Sequence, residues 1–445
     1  MNSEYERLLD SLPKAIEPFH PFRAPNESIP LYSGQLRGNS AEGEFSIDGD
    51  VELAWQPTPQ LRYRSVADVP DKLSFDLFDL AMRDIDLEWS PADLNVVPIP
   101  PEPSPNDDRK APVSGRLTRL EIGTGQVLSF VTFQLPNFFD YVGDSIRHGN
   151  GVNRGRLLLS GAGWRVTIDN RPGLNDIAAE LDRTGGYAIT HAGRLEREDG
   201  QPFSRGQARE MLKALYWFSS FVTGTAGGPV LPVGFDETGK PVWSEWGDPN
   251  LAPWKTALGW ASKLRANELA NLFPSFMDRW LDPYWTRVVQ MGIAYYLDAN
   301  IPRSLQRAVA LGQVGLEMLV YAVLIDGQHK SWDEIKPIGR AITRLLEHYG
   351  IPTAIPVHFK ELAAEALREG WLSGPWAVTC LRNEFIHVKQ NDPERPHEAW
   401  VQAWKLIVWY MEMTLMAMFR FKGVYLNRLK WPLAVWQVER VPWAP

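Results

Sequence analysis

The stretch PFSRGQAREMLKALYWFSSFVTG (202–224) divides this chain into two parts with different hydrophobic patterns. Its apolar residues recur at helical spacing, Ser204 is a residue type that caps helix N-termini, and Gly224 is one that ends helices. Upstream the pattern is typical of strands, and after Trp246 it is helical almost to the end. The sequence therefore predicts an α+β fold with an N-terminal β-rich domain, sandwich-like or barrel-like, followed by an all-α bundle.

The upstream region reads as short strands bounded by Gly, Pro, Asn and Asp. The segments with alternation or β-branched enrichment are LRYRSV (61–66), LSFDLFDL (73–80), GRLTRLEI (115–122), VLSFVTFQL (127–135) and GRLLLSGAGWRVTI (155–168). The segment 96–112 is rich in proline and polar residues, which indicates a loop or linker. The acids of RDIDLEW (83–89) fit a solvated strand face better than a paired-carboxylate glycosidase site.

Downstream of the central helix, residues 229–243 predict a hairpin that turns at Thr238-Gly239, and helices follow. The predicted helices are 264–273, 275–298, 303–325, 331–349, 358–369, 373–390 and 397–421. The predicted organisation is a β-rich sensing or regulatory domain (1–200), a helix–hairpin junction (201–263), a helical bundle (264–425) and a C-terminal tail (426–445).

The composition argues against several classes of function. A net charge of -8 is not the footprint of a protein that binds duplex nucleic acid broadly. The single cysteine, Cys380, excludes a disulfide framework and cysteine-based metal centres, and it fits a reducing cytosol. The chain has no P-loop, no Gly-x-Gly-x-x-Gly and no His-Glu-x-x-His, so neither a cofactor nor a metal is expected. The apolar stretch 308–325 carries Glu317 near its centre and falls short of a membrane span.

One segment, CLRNEFIH (380–387), combines residue types that are common in catalytic sites. On a helix, Leu381, Phe385 and Val388 form an apolar face, and Arg382 lies within the apolar arc because Ile386 is on its other side. Asn383 and His387 stand one turn apart.

A buried arginine needs a partner, because leaving its charge unpaired in the interior is costly. Glu317 and Glu412 are the candidates, since each is a lone charge in an otherwise apolar helical stretch. A purely structural Arg–Glu ion pair, with His387 as an ordinary surface histidine, stays open as an alternative.

Residues 382–387 (RNEFIH) match the Arg-(Asn/Asp/His)-x-x-x-His signature of HEPN domains, helical bundles of which many are metal-independent endoribonucleases. The resemblance covers about 265–425, and the two-part layout is similar to that of ApeA-type anti-phage HEPN proteins. It implies that Arg382 and His387 are catalytic, that Asn383 supports them and that Glu317 orients the arginine. It also implies a homodimer or higher even oligomer, in which two motifs share one cleft.

These residue types suit RNA cleavage by the 2′-OH of the substrate. Histidine accepts a proton near neutral pH, and arginine offers a planar fork to the phosphate as charge develops. The predicted function is a cytoplasmic, metal-independent endoribonuclease in anti-phage defence by abortive infection, with a phage-derived trigger sensed by the N-terminal domain. Two alternatives remain: a non-catalytic HEPN-like binding or scaffold module, and a HEPN partner of a nucleotidyltransferase.

Overall fold

The structure, a computed structural model, describes residues 3–40, 43–68, 85–86, 110–117, 119–123, 127–254, 259–387, 394–430 and 436–444. It confirms the α+β layout, with a β-rich part followed by a helical part. The predicted strand 73–80 and most of the acidic segment 83–89 lie outside the described residues. Residues 110–112, at the end of the predicted proline-rich loop, instead begin a strand.

The strands of the described residues are antiparallel wherever they pair. They are β1 (Ile29–Ser40), β2 (Gly43–Ala54), β3 (Gln60–Asp68), β4 (Ile85–Asp86), β5 (Lys110–Leu117), β6 (Arg119–Ile122), β7 (Val127–Leu128), β8 (Phe130–Pro136), β9 (Asp144–His148), β10 (Gly151–Gly161), β11 (Trp164–Asn170), β12 (Ile189–Arg197), β13 (Phe203–Ser204), β14 (Val230–Phe235), β15 (Pro241–Gly247), β16 (Val424–Leu426) and β17 (Val438–Arg440).

Two sheets pack face to face in the β-rich part. The small sheet has the order β4-β1-β2-β3-β5, and the large sheet has the order β6-β15-β14-β8-β12-β11-β10-β9. Buried Val51 and Leu61 of the small sheet share one apolar cluster with Ile122, Ile189 and Trp246 of the large sheet. The sandwich-like arrangement follows from this burial, because each sheet hides one apolar face against the other.

The helices lie mainly after the large sheet in the chain. They are α1 (Ser3–Ser11), α2 (Leu174–Thr184), α3 (Arg205–Thr223), α4 (Ala266–Trp280), α5 (Pro283–Asn300), α6 (Leu305–Val320), α7 (Trp332–Ile335), α8 (Ile338–His348), α9 (Lys360–Glu369), α10 (Gly374–Ile386) and α11 (His397–Met418), and a π-helical turn (Tyr321–Asp326) continues α6.

Helix α3 forms as its sequence predicts. The Ser204 hydroxyl accepts a hydrogen bond from the Gln207 N–H, and the Gln207 side chain accepts one from the Ser204 N–H, which completes a capping box. Gly224 ends the helix in the left-handed conformation at φ 71°. Both signals act within one turn of the chain, so they need no tertiary partner.

The predicted hairpin also forms, but it lies inside the large sheet instead of linking two domains. Strand β14 pairs with β8, and β15 pairs with β6. At the turn, Asp236 Oδ1 accepts hydrogen bonds from the backbone of Thr238 and Lys240, and Gly239 has a φ of 80°. The segment 201–263 is therefore largely part of the β-rich layer and of the helix that covers it.

The large sheet and the bundle share one hydrophobic core. Val131 and Leu159 of the sheet, Phe218 of α3, and Phe273 and Leu316 of the bundle all belong to one cluster of buried side chains. Because the two parts bury apolar surface against each other, the bundle does not have a core of its own that is separate from the sheet.

Several predicted helix boundaries are wrong. Helix α4 runs through Pro274, and the break predicted there falls instead at Asp282, whose carboxylate caps α5, with Pro283 at its first position. A capping residue followed by proline is a stronger start signal than one proline in a packed helix. The predicted helix 331–349 is two helices separated at Pro337, and the predicted helix 373–390 ends at Ile386.

The last long helix and the chain after it are core elements. Helix α11 is buried along most of its length, including Trp400 and Trp409. Glu412 at its centre is fully buried and pairs with Arg428, whose Nε donates to Glu412 Oε2 at 2.8 Å. The Tyr296 hydroxyl donates to the same carboxylate at 2.8 Å. Residues 426–430, predicted as the start of a tail, thus help to close the bundle.

One helical stretch, Leu305–Asp326, is long and apolar enough to cross a membrane, with a mean hydropathy of 1.9 over its best window. Of that window, 61% is buried inside the protein. Length and composition alone do not distinguish a membrane span from the core helix of a bundle, and the burial here is that of a core helix.

Candidate functional site

The predicted motif lies at the C-terminal end of α10. Ser373 caps the start of this helix by accepting a hydrogen bond from the Trp376 N–H, and Pro375 lies in its first turn. Leu381 anchors the helix in the core. The helix ends at Ile386, and the N–H of His387 donates to the Asn383 carbonyl at 2.8 Å as its last helical hydrogen bond.

The motif residues are close in space and reach the surface. Asn383 and His387 are exposed, and Arg382 is half-buried. Arg382 Nη1 donates to Asn383 Oδ1 at 3.1 Å. Arg382 Nε is buried and has no hydrogen-bond partner among the described residues. A buried donor without a partner costs free energy, and an anionic oxygen that accepts a hydrogen bond from this guanidinium would offset part of that cost.

The predicted partner of Arg382 is not bound to it. Glu317 lies half-buried on α6, which packs against α10, but none of the ion pairs between described residues joins Glu317 to Arg382. The other candidate, Glu412, is bound to Arg428. The expectation that Arg382 is one half of a buried ion pair is therefore wrong for the described part of the chain. A carboxylate and a guanidinium on two packed helices pair only if their side chains point towards each other at the same height along the helix axes.

The buried arginine of this region is Arg395, which sequence reasoning missed. Its side chain is 3% exposed and contacts three carboxylates: Glu384 at 2.5 Å, Glu365 at 2.5 Å and Glu369 at 2.9 Å. Its guanidinium also lies 5.1 Å from the ring centroid of Trp371. The hydrogen bonds to Glu384 are the main reason that the pKa of Arg395 is raised above its ordinary value.

The Arg395 cluster, defined as Arg395 with Glu365, Glu369 and Glu384, ties three helices together. Glu365 and Glu369 are one turn apart on α9, Glu384 is on α10, and Arg395 directly precedes Pro396, the N-cap residue of α11. Because Glu384 stands between Asn383 and His387 in sequence, the cluster holds the end of α10 in place. The i, i+4 acids on α9 were the one sequence signal for it.

Two apolar side chains of the motif are exposed. Phe385 is 39% exposed and Ile386 is 44% exposed, although the sequence predicted that Phe385 is on the buried face. Val388, the third predicted member of that face, lies outside the described residues. The apolar end of α10 is thus open on the surface beside His387.

The chemistry available at this surface is proton transfer and anion binding. His387 offers an imidazole and Arg382 a guanidinium, with the Asn383 amide between them. Cys380 is not an available nucleophile near neutral pH, since burial raises its pKa to about 11. Among the described residues, no group of three His, Cys, Asp or Glu side chains is arranged to hold a metal ion.

The structure is that of an α+β protein whose helical part has exposed Asn383 and His387 and half-buried Arg382 at one helix end. Residues 123–257 match the family model described as the YopA central domain, and residues 282–440 match that of the YopA C-terminal domain. The chain is 26% identical over 427 residues to the SPbeta prophage-derived uncharacterized protein YopA of Bacillus subtilis (strain 168). That alignment covers 94% of this chain and 95% of the relative. No solved structure matches the chain.

The limits of the two matched regions follow the fold. The first begins at Gly123, directly after β6, and extends beyond the hairpin, so it includes most of the large sheet together with α3. The second begins at Asp282, the residue that caps α5, and includes the Arg382–His387 motif and the Arg395 cluster. The chain is thus similar to YopA proteins over both its β-rich and its helical part.

Proposed function

We propose that this protein is a metal-independent endoribonuclease that cleaves RNA by attack of the 2′-OH on the adjacent phosphate. The observation that carries the proposal is the surface cluster of Arg382, Asn383 and His387 at the end of α10. In it, the Arg382 guanidinium, which has an Nε donor unsatisfied by the described residues, is hydrogen-bonded to Asn383, and Asn383 stands one helical turn before the exposed imidazole of His387.

In this mechanism, His387 accepts the proton of the 2′-OH as the oxygen attacks phosphorus. Arg382 stabilises the charge that develops on the phosphate oxygens, and Asn383 keeps the guanidinium oriented through their hydrogen bond at 3.1 Å. The P–O5′ bond breaks as the P–O2′ bond forms, and the departing 5′ oxygen takes a proton from water, so the products are a 2′,3′-cyclic phosphate and a 5′-hydroxyl. DNA has no 2′-OH and is not a substrate.

Cleavage of a labelled structured RNA, with a DNA of the same sequence as control, tests the proposal. EDTA leaves the rate unchanged, because no metal takes part. His387→Ala lowers the rate by about 10²–10⁴-fold, the usual contribution of a general base. His397→Ala, at an exposed histidine at the start of α11, is the matched control and cleaves at the wild-type rate. Full activity of His387→Ala would exclude catalysis at this site.

The proposed enzyme acts as a homodimer or a higher even oligomer, in which the apolar end of α10 faces a second copy. The exposed Phe385 and Ile386 beside His387 support this arrangement, because apolar side chains at the centre of an interface are the ones that lose water there. Phe385→Glu should shift the mass in light scattering to that of the monomer and reduce cleavage. Leu367→Glu, at an exposed apolar residue of α9, is the control and leaves both unchanged. A monomeric wild-type protein would contradict the arrangement.

The proposed setting is the bacterial cytoplasm, where the ribonuclease acts in anti-phage defence and the β-rich part senses a phage-derived trigger. The shared core between the large sheet and the bundle supports such control, because a change on the sheet reaches the bundle through packed side chains. The alternative, a non-catalytic scaffold, predicts the same dimer and no RNA cleavage, so the cleavage assay separates the two.

A further inference from the structure

A cavity of about 590 Å³ lies far from the α10 site in sequence, between α3 and the β14–β15 hairpin. Leu53 of β2 and Arg119 of β6 complete its wall, so both sheets and the central helix contribute. Its volume is in the range that small-molecule sites occupy, about 300–1,000 Å³. None of its lining residues belongs to the Arg382–His387 motif or to the Arg395 cluster.

The cavity has an excess of positive charge. Arg119, Arg209 and Lys213 line it, against Glu245 and Asp248. Glu245 is shared by two of these cations, at 3.0 Å from Arg119 and 2.5 Å from Arg209. Lys213 is exposed and makes no ion pair with the described residues.

The charged lining residues other than Lys213 form ion pairs with one another and with charged residues outside the cavity, and the net charge of this network, Lys213 included, follows from its members. The cations are Arg116, Arg119, Arg205, Arg209 and Lys213, and the carboxylates are Glu121, Glu245 and Asp248. Five positive and three negative charges leave an excess of two. A phosphate monoester carries about −1.5 to −2 charges at neutral pH, so one phosphate neutralises the network.

The rest of the wall is apolar and partly aromatic. Leu212, Val230 and Trp243 line it, together with Tyr216, whose hydroxyl accepts a hydrogen bond from Asn250 Nδ2 at 2.8 Å. Apolar walls with a few convergent polar groups are typical of sites for flat organic ligands. This apolar wall therefore favours a ligand with a ring system over inorganic phosphate alone.

The backbone at the cavity is strained. Leu231, which lines it, has a φ of 51°, a conformation that is rare for a bulky residue. The pairing of β14 with β8 also shifts register between Val230 and Val233. Strained residues and bulges of this kind are over-represented next to active sites and ligand sites, where the surrounding structure holds them in place.

We propose that this cavity binds a small phosphorylated molecule with a flat ring, of the size of a nucleoside monophosphate. Arg119, Arg209 and Lys213 hold the phosphate, and the ring lies against the Leu212–Tyr216 side of α3. The site goes beyond the proposed ribonuclease, since it neither contains nor requires the α10 motif.

Calorimetric titration of the full chain with AMP tests the site, with adenosine and inorganic phosphate as the two halves of the probe. AMP should bind saturably with one site per chain, and each half should bind at least about tenfold more weakly. Lys213→Ala should weaken AMP binding about tenfold, the usual loss of one charge-assisted hydrogen bond. Lys240→Ala, an exposed lysine at the hairpin turn and outside the cavity, should bind as the wild type does.

Three results would overturn the proposal. The first is that AMP, GMP, CMP and UMP all fail to bind up to about 5 mM, beyond the range of weak specific binding. The second is equal affinity in Lys213→Ala, with its fold verified by thermal melting. The third is inorganic phosphate binding as tightly as AMP. Because His387→Ala should bind AMP like the wild type, failure of the ribonuclease proposal leaves this test intact.

Discussion

Arg382 and Arg395 stand thirteen positions apart and have opposite surroundings. Arg395 is buried, and three carboxylates neutralise it. Arg382 is half-buried, contacts one amide and retains an unsatisfied donor among the described residues. An arginine that joins helices has its charge matched by the fold, whereas one that the fold leaves unmatched is available to an anion from solution. The contrast gives Arg395 a structural role and leaves Arg382 as the residue to which the proposed chemistry belongs.

The largest expected effect is on stability, at Arg395. Arg395→Ala leaves three carboxylates close together with no cation between them, so the free energy of unfolding should fall by about 3–5 kcal/mol. Urea unfolding of the full chain, followed by tryptophan fluorescence, measures it. Arg368→Ala is the control, because Arg368 binds Glu365 and Glu369 from a half-exposed position and should cost less than about 1 kcal/mol. A similar loss of unfolding free energy in both variants would show that Arg395 stabilises the fold no more than Arg368 does.

The stability difference between the wild type and Arg395→Ala should depend on pH, which tests the role of the carboxylates around Arg395. The hydrogen bond from Arg395 is the main cause that lowers the pKa of Glu369 below its ordinary value of 4.5. A carboxylate with a lowered pKa in the folded state adds stability above the pKa of the unfolded state and loses it as the pH falls through the folded value. The stability gap between wild type and Arg395→Ala should therefore be constant near neutrality and narrow below about pH 4.5. A gap that is independent of pH in urea titrations from neutral to acid would contradict the role of the carboxylates.

The smallest expected effect on stability is at Arg382. Arg382→Ala should change the free energy of unfolding by less than about 1 kcal/mol, because no ion pair with a described residue is lost. The same variant should lose RNA cleavage, and Arg382→Lys should recover part of it through the retained charge. Destabilisation of Arg382→Ala as large as that of Arg395→Ala would remove the distinction between the two arginines.

The helical half shows which parts of a site are readable from sequence. The neighbourhood of Asn383 and His387 could be predicted, because residues four apart lie on the same side of a helix, and Arg382 adjoins Asn383 in the chain. The exposure of Phe385 was not readable, since apolar periodicity predicts burial whether or not a neighbouring helix covers that face. The pairings of Glu412 with Arg428 and of Glu384 with Arg395 depend on contacts between a helix and a segment outside it.

By itself, the sequence determined the change from strands to helices, the bounds of α3 and the turn of the hairpin. Capping, glycine conformation and turn hydrogen bonds act over a few residues, so they need no knowledge of the rest of the chain. Only the tertiary structure decided that the hairpin joins the large sheet, that sheet and bundle share one core, and that Arg395, and not Arg382, is the buried arginine beside α10. The physical reason is that burial and charge pairing depend on which distant surfaces meet, and these meetings are long-range in the chain.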